Sequence, residues 1–479
     1  MDASVSQAIS ALRQALPRGY FALESTPEYD AVNLSYLSGL ESDLRPACVF
    51  LPWTKLEVMA FVKTIRQFAG SVQFAVRGGG QQPLPGCANI EGGITIDLRL
   101  LSGVEIQDSY VKIGAGERWG TVYEKLEREG LGVTGGRLAT SGIGGLATQG
   151  GLSFLSTREG FICDNVVNFE VVLASGAIVN ANARENPDLW VALRGGGNNF
   201  GIVTRFDVRT FKQGPMWGGM IFYYLPSFSG QVDALVDELT RPDTSKETHL
   251  MLSIGYYGVA SSDIVCLNQV YYTQPVKNPP VLAPFTQIQP QREDLNSVRM
   301  KTLVQATSEH TGASRNQIRC AYMNVSVKAD PATIRTGGDI WCEELQPVKS
   351  VARLLSSYTL QPYAVSLLEK SISNGGNSLG LHPTNGPVVN ILLLSSWEEQ
   401  SDDDRVLTFM KRALKRIEGN AASRDQLVPY VYSNYAFSHQ DPILSYGEEN
   451  KGKLQQISRK YDPEGLFQKG CPGGFKLFS

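Results

Sequence analysis

Long hydrophobic runs are missing from this 479-residue sequence, as are basic clusters, paired histidines and closely spaced cysteines. The longest apolar stretches, such as Val388 to Leu394, are strand-sized and interrupted by Asn390, well short of the ~20 residues that cross a bilayer. No membrane span is expected. Lys+Arg 44 against Asp+Glu 47 leaves a formal net charge of -3, which gives no electrostatic footprint for nucleic acid or an anionic surface. His249, His310, His382 and His439 stand apart, without HxxxH or HxxE spacing, so no metal site is predicted. The seven cysteines include no CxxC and read as free thiols of a reducing compartment. The N-terminus, Met1-Asp2-Ala3-Ser4, has no basic region followed by an apolar core, so a secretory signal is not expected and the location is read as cytoplasmic. The sequons Asn33-Leu34-Ser35 and Asn324-Val325-Ser326 are accordingly read as chance.

What remains is globular in composition, 42% hydrophobic and 19% charged, and long enough for two domains sharing an interface. Val5, Ala8, Ile9, Leu12 and Leu16 fall on one helical face, as do Val58, Phe61, Val62 and Ile65 within Leu56 to Phe68. A strand ending at Val76 stops at Gly78-Gly79-Gly80, and alternation resumes through Ile94, Ile96 and Leu98. Val171 to Ala174 and Ala177 to Val179 flank Ser175-Gly176, a hairpin signal. Near Lys212 to Pro215 the composition shifts, which places a domain boundary there. Beyond it, strands at Met220 to Leu225, Leu250 to Tyr256, Ile264 to Tyr272, Ile318 to Val327 and Val388 to Leu394 alternate with helices around 230–240, 295–308 and 402–418. That pattern predicts an antiparallel sheet backed by helices.

Glycine is the informative residue. Without Cβ it turns at positive φ and lets consecutive N–H groups approach an anion such as a pyrophosphate. Three glycine clusters stand out, at Gly78 to Gly80, between Gly135 and Gly151, and at Gly195 to Gly201. Within the second, Gly142-Ile143-Gly144-Gly145-Leu146-Ala147 satisfies G-x-G-x-x-A, with Asp164 near the distance of a ribose contact. A dinucleotide fingerprint, however, follows a buried strand and opens a helix. Arg137 to Ser141 is no such strand, and Gly150-Gly151 would break the helix, so the match reads as a decoy.

Taken together, Arg77 to Gln82, Gly136 to Val166, Arg194 to Thr204 and Tyr432 to Phe467 resemble, in order and spacing, the flavin-wrapping regions of the vanillyl-alcohol oxidase and berberine-bridge-enzyme-like FAD oxidases. The likeness is strongest to their intracellular fungal branch. It implies an α+β fold with a bipartite PCMH-type FAD-binding domain: residues 1–213 with the C-terminal segment 430–479, enclosing a substrate domain at 214–429. It also implies which residues meet FAD. These are Arg77, Gly78, Gly79, Gly80, Gln81 and Gln82 in one loop, Thr140, Ser141, Gly142, Gly144, Gly145 and Gly151 in the next, and Val166, Ile202, Val203 and Asn434. Typical members tether the flavin through a histidine where Gln81 stands, and some through a cysteine where Leu138 stands. A noncovalent, exchangeable FAD is therefore expected, and a weaker oxidant with it.

Tyr432 and Tyr435 fall where the family places phenols near flavin and substrate, and are the candidate catalytic residues. They are read as lying on a strand, with Asn434 pointing to the opposite face. Glu369 and Asn390, on expected strands, and His439, in a polar turn, are further candidates to face substrate. The function these features imply is an FAD-dependent oxidoreductase of secondary metabolism. It would move a hydride from a small hydrophobic metabolite to the flavin, giving desaturation or oxidative cyclisation, with O2 as acceptor. A flavin-containing non-redox cyclase or isomerase is the alternative, and a binding protein that lost catalysis a third.

Overall fold

The structure, a computed structural model, describes residues 2–24, 26–259, 263–311 and 318–478, with the side chains of His310 and Thr311 outside that description. Among the described residues the strands form three sheets. The first joins β1 (Tyr20–Leu23), β2 (Cys48–Leu51), β3 (Phe74–Arg77) and β4 (Ile94–Asp97) in the order β1-β2-β4-β3, with β4 parallel to both β2 and β3. The helix Lys55–Ile65 starts at a capping box between Thr54 and Glu57 and buries Val58, Phe61, Val62 and Ile65, the spacing that puts one apolar stripe on one face. Phe61 stacks on Phe50 and meets Phe74 edge-on. Phe467, far along the chain, meets Phe74 in turn at 6.1 Å. Each such aromatic pair adds about 0.5–1.5 kcal/mol beyond burial, so the C-terminal segment is packed into the first core.

The second sheet contains β5 (Val104–Ile106), β6 (Tyr110–Gly114), β7 (Leu131–Val133), β8 (Val166–Val172), β9 (Ile178–Asn182) and β10 (Ile202–Lys212), with β10 central. The β8–β9 hairpin turns at Gly176, where φ is +80°.

The third is nine-stranded. It comprises β11 (Met216–Tyr224), β12 (Thr248–Tyr257), β13 (Ile264–Tyr272), β14 (Gln291–Arg292), β15 (Arg299–Lys301), β16 (Arg319–Lys328), β17 (Leu355–Tyr363), β18 (Val388–Trp397) and β19 (Leu427–Val428), with β12 and β17 paired at its centre. Side chains alternate strictly across this sheet. Leu252 and Ile254 on β12, Tyr358 and Leu360 on β17, and Ile391 and Leu393 on β18 join a core with the helices Phe228–Thr240, Pro331–Leu345 and Asp403–Ser423. The residues between them face the other way, toward the glycine loops. Among the described residues no helix is long and apolar enough to cross a membrane.

The fold class is α+β, as expected. Two local expectations are corrected, and two elements had not been expected at all. The helix expected around 295–308 starts only at Leu303, because Val298-Arg299-Met300-Lys301 alternates with period two and pairs with β11 as β15. The helix Pro331–Leu345 and the strand β17 were not anticipated. In β17 the residues Ser356, Ser357 and Thr359 hide a buried strand behind a polar sequence. Glu369 lies on a helix, Val365–Ser373, on its exposed face, and not on a strand facing substrate.

Candidate active site

The loop after β3 and the loop around Gly142 meet glycine to glycine. A Cβ on Gly79 would lie 2.7 Å from the Gly142 nitrogen, and one on Gly142 2.6 Å from the Gly79 Cα. No other residue fits either position. Arg118 Nη1 staples the two loops by donating to the carbonyls of Gly79 at 2.8 Å and Thr140 at 2.5 Å. Desolvation, then the nearby Arg77 and Arg99, depress its pKa, so the bare carbonyls hold the guanidinium against that cost. The N–H groups of Gly79, Gly80, Gln81 and Gln82 find no acceptor within the chain among the described residues. Unsatisfied amides in a concave loop are donors for an anion.

These loops form one wall of a cavity of about 460 Å³ whose other wall is the nine-stranded sheet, a size in the usual range for ligand sites. Of the residues expected to touch cofactor, Gly78, Gly79, Gly80, Gln81, Gln82, Ser141, Gly142, Gly144, Gly145, Ile202, Val203 and Asn434 line it. Four do not. The Arg77 side chain is only 1% exposed and turns under the loop, donating to the Val32 carbonyl and Ser35 Oγ, 3.4 Å from Asp97 and stacked on the Tyr36 ring. The carbonyl of Thr140 is taken by Arg118. Gly151, at φ +82°, packs on Ile162, and Val166 offers its carbonyl to Trp190 and Arg194. These four shape the cavity from behind.

Tyr432 and Tyr435 both line it, but not as a strand. Ser433–Tyr435 is a single 3-10 turn, so Tyr432, Asn434 and Tyr435 all reach the same space rather than alternating. The Tyr432 N–H donates to Asn324 Oδ1 at 2.8 Å and its carbonyl accepts from Asn324 Nδ2 at 3.0 Å, which pins the start of the turn to β16. Asn434 pins its end to the second glycine loop, accepting from the Gly151 N–H at 3.2 Å. The rings of Tyr432 and Tyr435 meet edge-on at 4.8 Å. Tyr432 is buried, and desolvation, with the neighbouring Tyr435 and Tyr363, pushes its phenol well above the ordinary value. It stays protonated at neutral pH and is a hydrogen-bond donor, not a base.

Tyr435 is placed differently. Its hydroxyl accepts from Arg137 Nη2 at 2.6 Å and donates to Gln361 Oε1 at 3.3 Å, while the same Nη2 donates to Gln361 Oε1 at 2.8 Å. Donors carrying a positive charge hold an oxygen more firmly as negative charge develops on it. Arg137 and Gln361 were not singled out from the sequence. Arg137 sits inside the second glycine block, which hid it, and Gln361 sits on the strand that was missed.

The other candidates lie elsewhere. Asn390 is buried in β18 and donates to Asn324 and Ser326. His439 packs beside Phe437, and burial, together with Lys411, lowers its pKa. His249 meets Phe154 edge-on, His382 caps a turn, and the His310 side chain lies outside the described residues. Asn33 and Asn324, the two sequon asparagines, are buried at 1% and 0% exposure.

Residues 46–182 match a family described as an FAD binding domain. The chain is 34% identical over 453 residues to the FAD-dependent monooxygenase tpcD of Cochliobolus heterostrophus, covering 91% of this chain and 86% of that one. It is 33% identical over 459 residues to the FAD-dependent monooxygenase FUP4 of Fusarium proliferatum, covering 92% and 87%. Among solved structures, BBE-like 1 of Physcomitrella patens superposes with a TM-score of 0.78 at 20% identity over 98% of this chain and 99% of that one. A carbohydrate oxidase from Microdochium nivale also gives 0.78, at 18% identity over 98% and 100%. At those identities the structures speak for the fold alone.

Proposed function

We propose, from the premise that this chain belongs to the family of fungal FAD-dependent monooxygenases built on an FAD-binding domain, that it oxidises a small, largely apolar metabolite with a noncovalently held FAD. The family makes it an FAD-dependent oxidoreductase; substrate, acceptor and mode of attachment are our reading. In that reading residues 1–213 and 430–479 hold the cofactor, and 214–429 supply the face against the substrate. The observation that carries it is the junction of two glycine loops too close for any side chain, with unsatisfied amides opening onto the cavity.

The residues suit the group. The amides of Gly79, Gly80 and Gln81, with the Gly142 to Gly145 loop, would neutralise a diphosphate without lysine, and no lysine lines the cavity among the described residues. Ile202 and Val203 would bound the apolar adenine end. The Gln81 Oε1, buried without a partner, is left for a water or a donor of the ligand, where the family's tether would need a histidine.

When bound, FAD supplies a two-electron acceptor for an activated C–H bond and passes the electrons to O2, which the protein alone does not offer. The chain's part is to place and protonate. Tyr435, in its phenolate form held by Arg137, would take the proton released from substrate and become the neutral phenol. Tyr432, kept protonated by burial, would donate a hydrogen bond. The sheet face excludes water and orients the metabolite, an arrangement we assign to secondary metabolism.

Denaturing the purified yellow protein tests the cofactor half: FAD in the supernatant is the expected result, and colour left in the pellet contradicts noncovalent binding. Absence of flavin would defeat the whole reading. For the reaction, a product lighter by two hydrogens and stoichiometric O2 uptake are expected. A product of unchanged mass formed anaerobically would instead establish a non-redox cyclase.

A further inference from the structure

Behind the open amides of the first glycine loop lies positive charge. Arg118 is anchored on the second loop, where its backbone bridges Gly142 and the following Trp119 N–H donates to the Ser141 carbonyl at 3.0 Å. From that base its guanidinium reaches the carbonyls of Gly79 and Thr140. It stands outside the cavity lining and forms no ion pair among the described residues. The charges it feels are Arg77, Arg99 and Asp97, and that one carboxylate already serves the other two guanidiniums, at 3.4 and 2.8 Å. Glu41, which also feels Arg77, is itself raised to about 7 by burial. More than one positive charge is therefore left over. A second, independent observation concerns the peptide between Gly79 and Gly80. It is planar and trans, so with its carbonyl turned to Arg118 its N–H points the opposite way, toward the cavity that Gly80 lines. That N–H has no acceptor within the chain among the described residues. The Thr140 carbonyl leads nowhere comparable, because the Ser141 N–H of its peptide is spent on the Leu138 carbonyl at 3.1 Å. One peptide thus joins a cation outside the cavity to an open donor inside it.

From this geometry we propose that Arg118 strengthens the hold on the cofactor's diphosphate without touching it, acting through the Gly79–Gly80 peptide whose N–H it polarises. The inference rests on the proposed noncovalent FAD and names a residue that sets its affinity. Hydrogen bonds in a chain polarise one another, and those with an ionised partner are stronger than neutral ones. A guanidinium keeps its charge at any working pH and has donors enough to hold both carbonyls. With the cation roughly 8 Å from a phosphate and an effective dielectric of about 20, its charge is worth about tenfold or more in affinity after discounting for solvent screening at a half-buried group. Arg118 is in this sense a positioning residue for the cofactor, and its effect depends on charge as well as on the two loops it joins.

The test measures free FAD in ultrafiltrates of the purified yellow protein over a dilution series, with thermal melting to establish that each variant is folded. Arg118→Gln, which keeps two donors but no charge, and Arg118→Met are both expected to release FAD about tenfold more readily, whereas Arg118→Lys, which keeps the charge, should stay close to the wild type. Equal affinity in Arg118→Gln and the wild type overturns the proposal in favour of a purely mechanical staple, and so does a loss in Arg118→Lys as large as in Arg118→Met. A second pair leaves Arg118 in place. Thr140 is exposed, and its carbonyl is one of the two that Arg118 holds. Thr140→Glu sets a carboxylate beside the guanidinium and should weaken FAD binding about threefold relative to Thr140→Gln, a gap that closes as salt is added. Equal affinities in that pair at low salt overturn the proposal even where the Arg118 variants do not fold. Colour that stays with the denatured wild type would defeat the noncovalent reading alone. The phosphorus resonances of the bound diphosphate then report on Arg118 instead: they should move in Arg118→Gln and stay near the wild type in Arg118→Lys, and resonances unmoved in both overturn the proposal.

Discussion

The two walls of the cavity present opposite chemistry. On one side, glycine loops offer backbone amides and almost no side chains; on the other, strands whose backbone is consumed by the ladder offer only side chains. A phosphate-bearing cofactor is served by the first kind of surface, which is nearly independent of side-chain identity. A variable metabolite needs the second, which can be rewritten residue by residue without disturbing the sheet.

The sharpest way to break this contrast is at the turn where the walls meet. Tyr435→Phe is expected to reduce turnover by about 10²–10⁴-fold, the range for a lost acid–base group, with flavin content unchanged; steady-state rates and absorbance spectra check both halves. If Tyr432→Phe does equal damage, the assignment of proton transfer to Tyr435 is wrong. Next in size is Gly79→Val. Its Cβ would lie 2.7 Å from the Gly142 nitrogen, and overpacking of this kind costs about 1–3 kcal/mol, so flavin retained after desalting should fall by about an order of magnitude. Gly145→Ala sharpens the point, because nothing of the protein lies within 4 Å of the added carbon. Folding stability should be unaltered by thermal melting while flavin affinity falls. A variant that keeps full affinity would show that this loop does not touch the cofactor.

Gln81→His asks whether the missing tether is a matter of one side chain, and colour that stays with denatured protein would show that it is. A separate effect concerns Glu41, which accepts from the amides of Gly86 and Ala88 behind the first glycine loop. Burial raises its pKa to about 7, against those two backbone bonds. The folded protein therefore holds a proton there that the unfolded chain releases near its ordinary ~4.3. Stability should be greatest below that value, decline as pH rises toward 7, and level off above. Chemical denaturation at a series of pH values should show the slope, and Glu41→Gln should flatten it. An unchanged slope in that variant places the titration elsewhere.

Legibility in the sequence followed the same division. The glycine wall could be read because glycine at consecutive positions is costly unless the backbone needs it, so Gly78 to Gly80 and Gly142 to Gly145 announce themselves. The strands β11, β12, β13, β16 and β18 were visible through apolar alternation. Strand β17 was not, since its cavity face is Leu355, Ser357, Thr359 and Gln361 and only Tyr358 and Leu360 mark its core face. Polar residues that face a ligand look, in one dimension, like polar residues that face water. Arg77 misled for a related reason: position beside a glycine loop suggested a phosphate ligand, whereas its charge is spent on Asp97 and on the carbonyl of Val32. The tyrosine turn was misread because a single 3-10 turn has no periodicity to detect.

The short turn from Tyr432 to Tyr435 is moored at one end to Asn324 on β16 and at the other to the glycine loop through Asn434. Because four residues join the nine-stranded sheet to the glycine loop, evolution has little freedom to retune one side alone. Enlarging the space around β16 to admit a bulkier ligand would tug on Asn434 and so on the second glycine loop. New specificities on this scaffold should therefore arise first on β12, since β17 is itself tied to the turn through Gln361 and Tyr435.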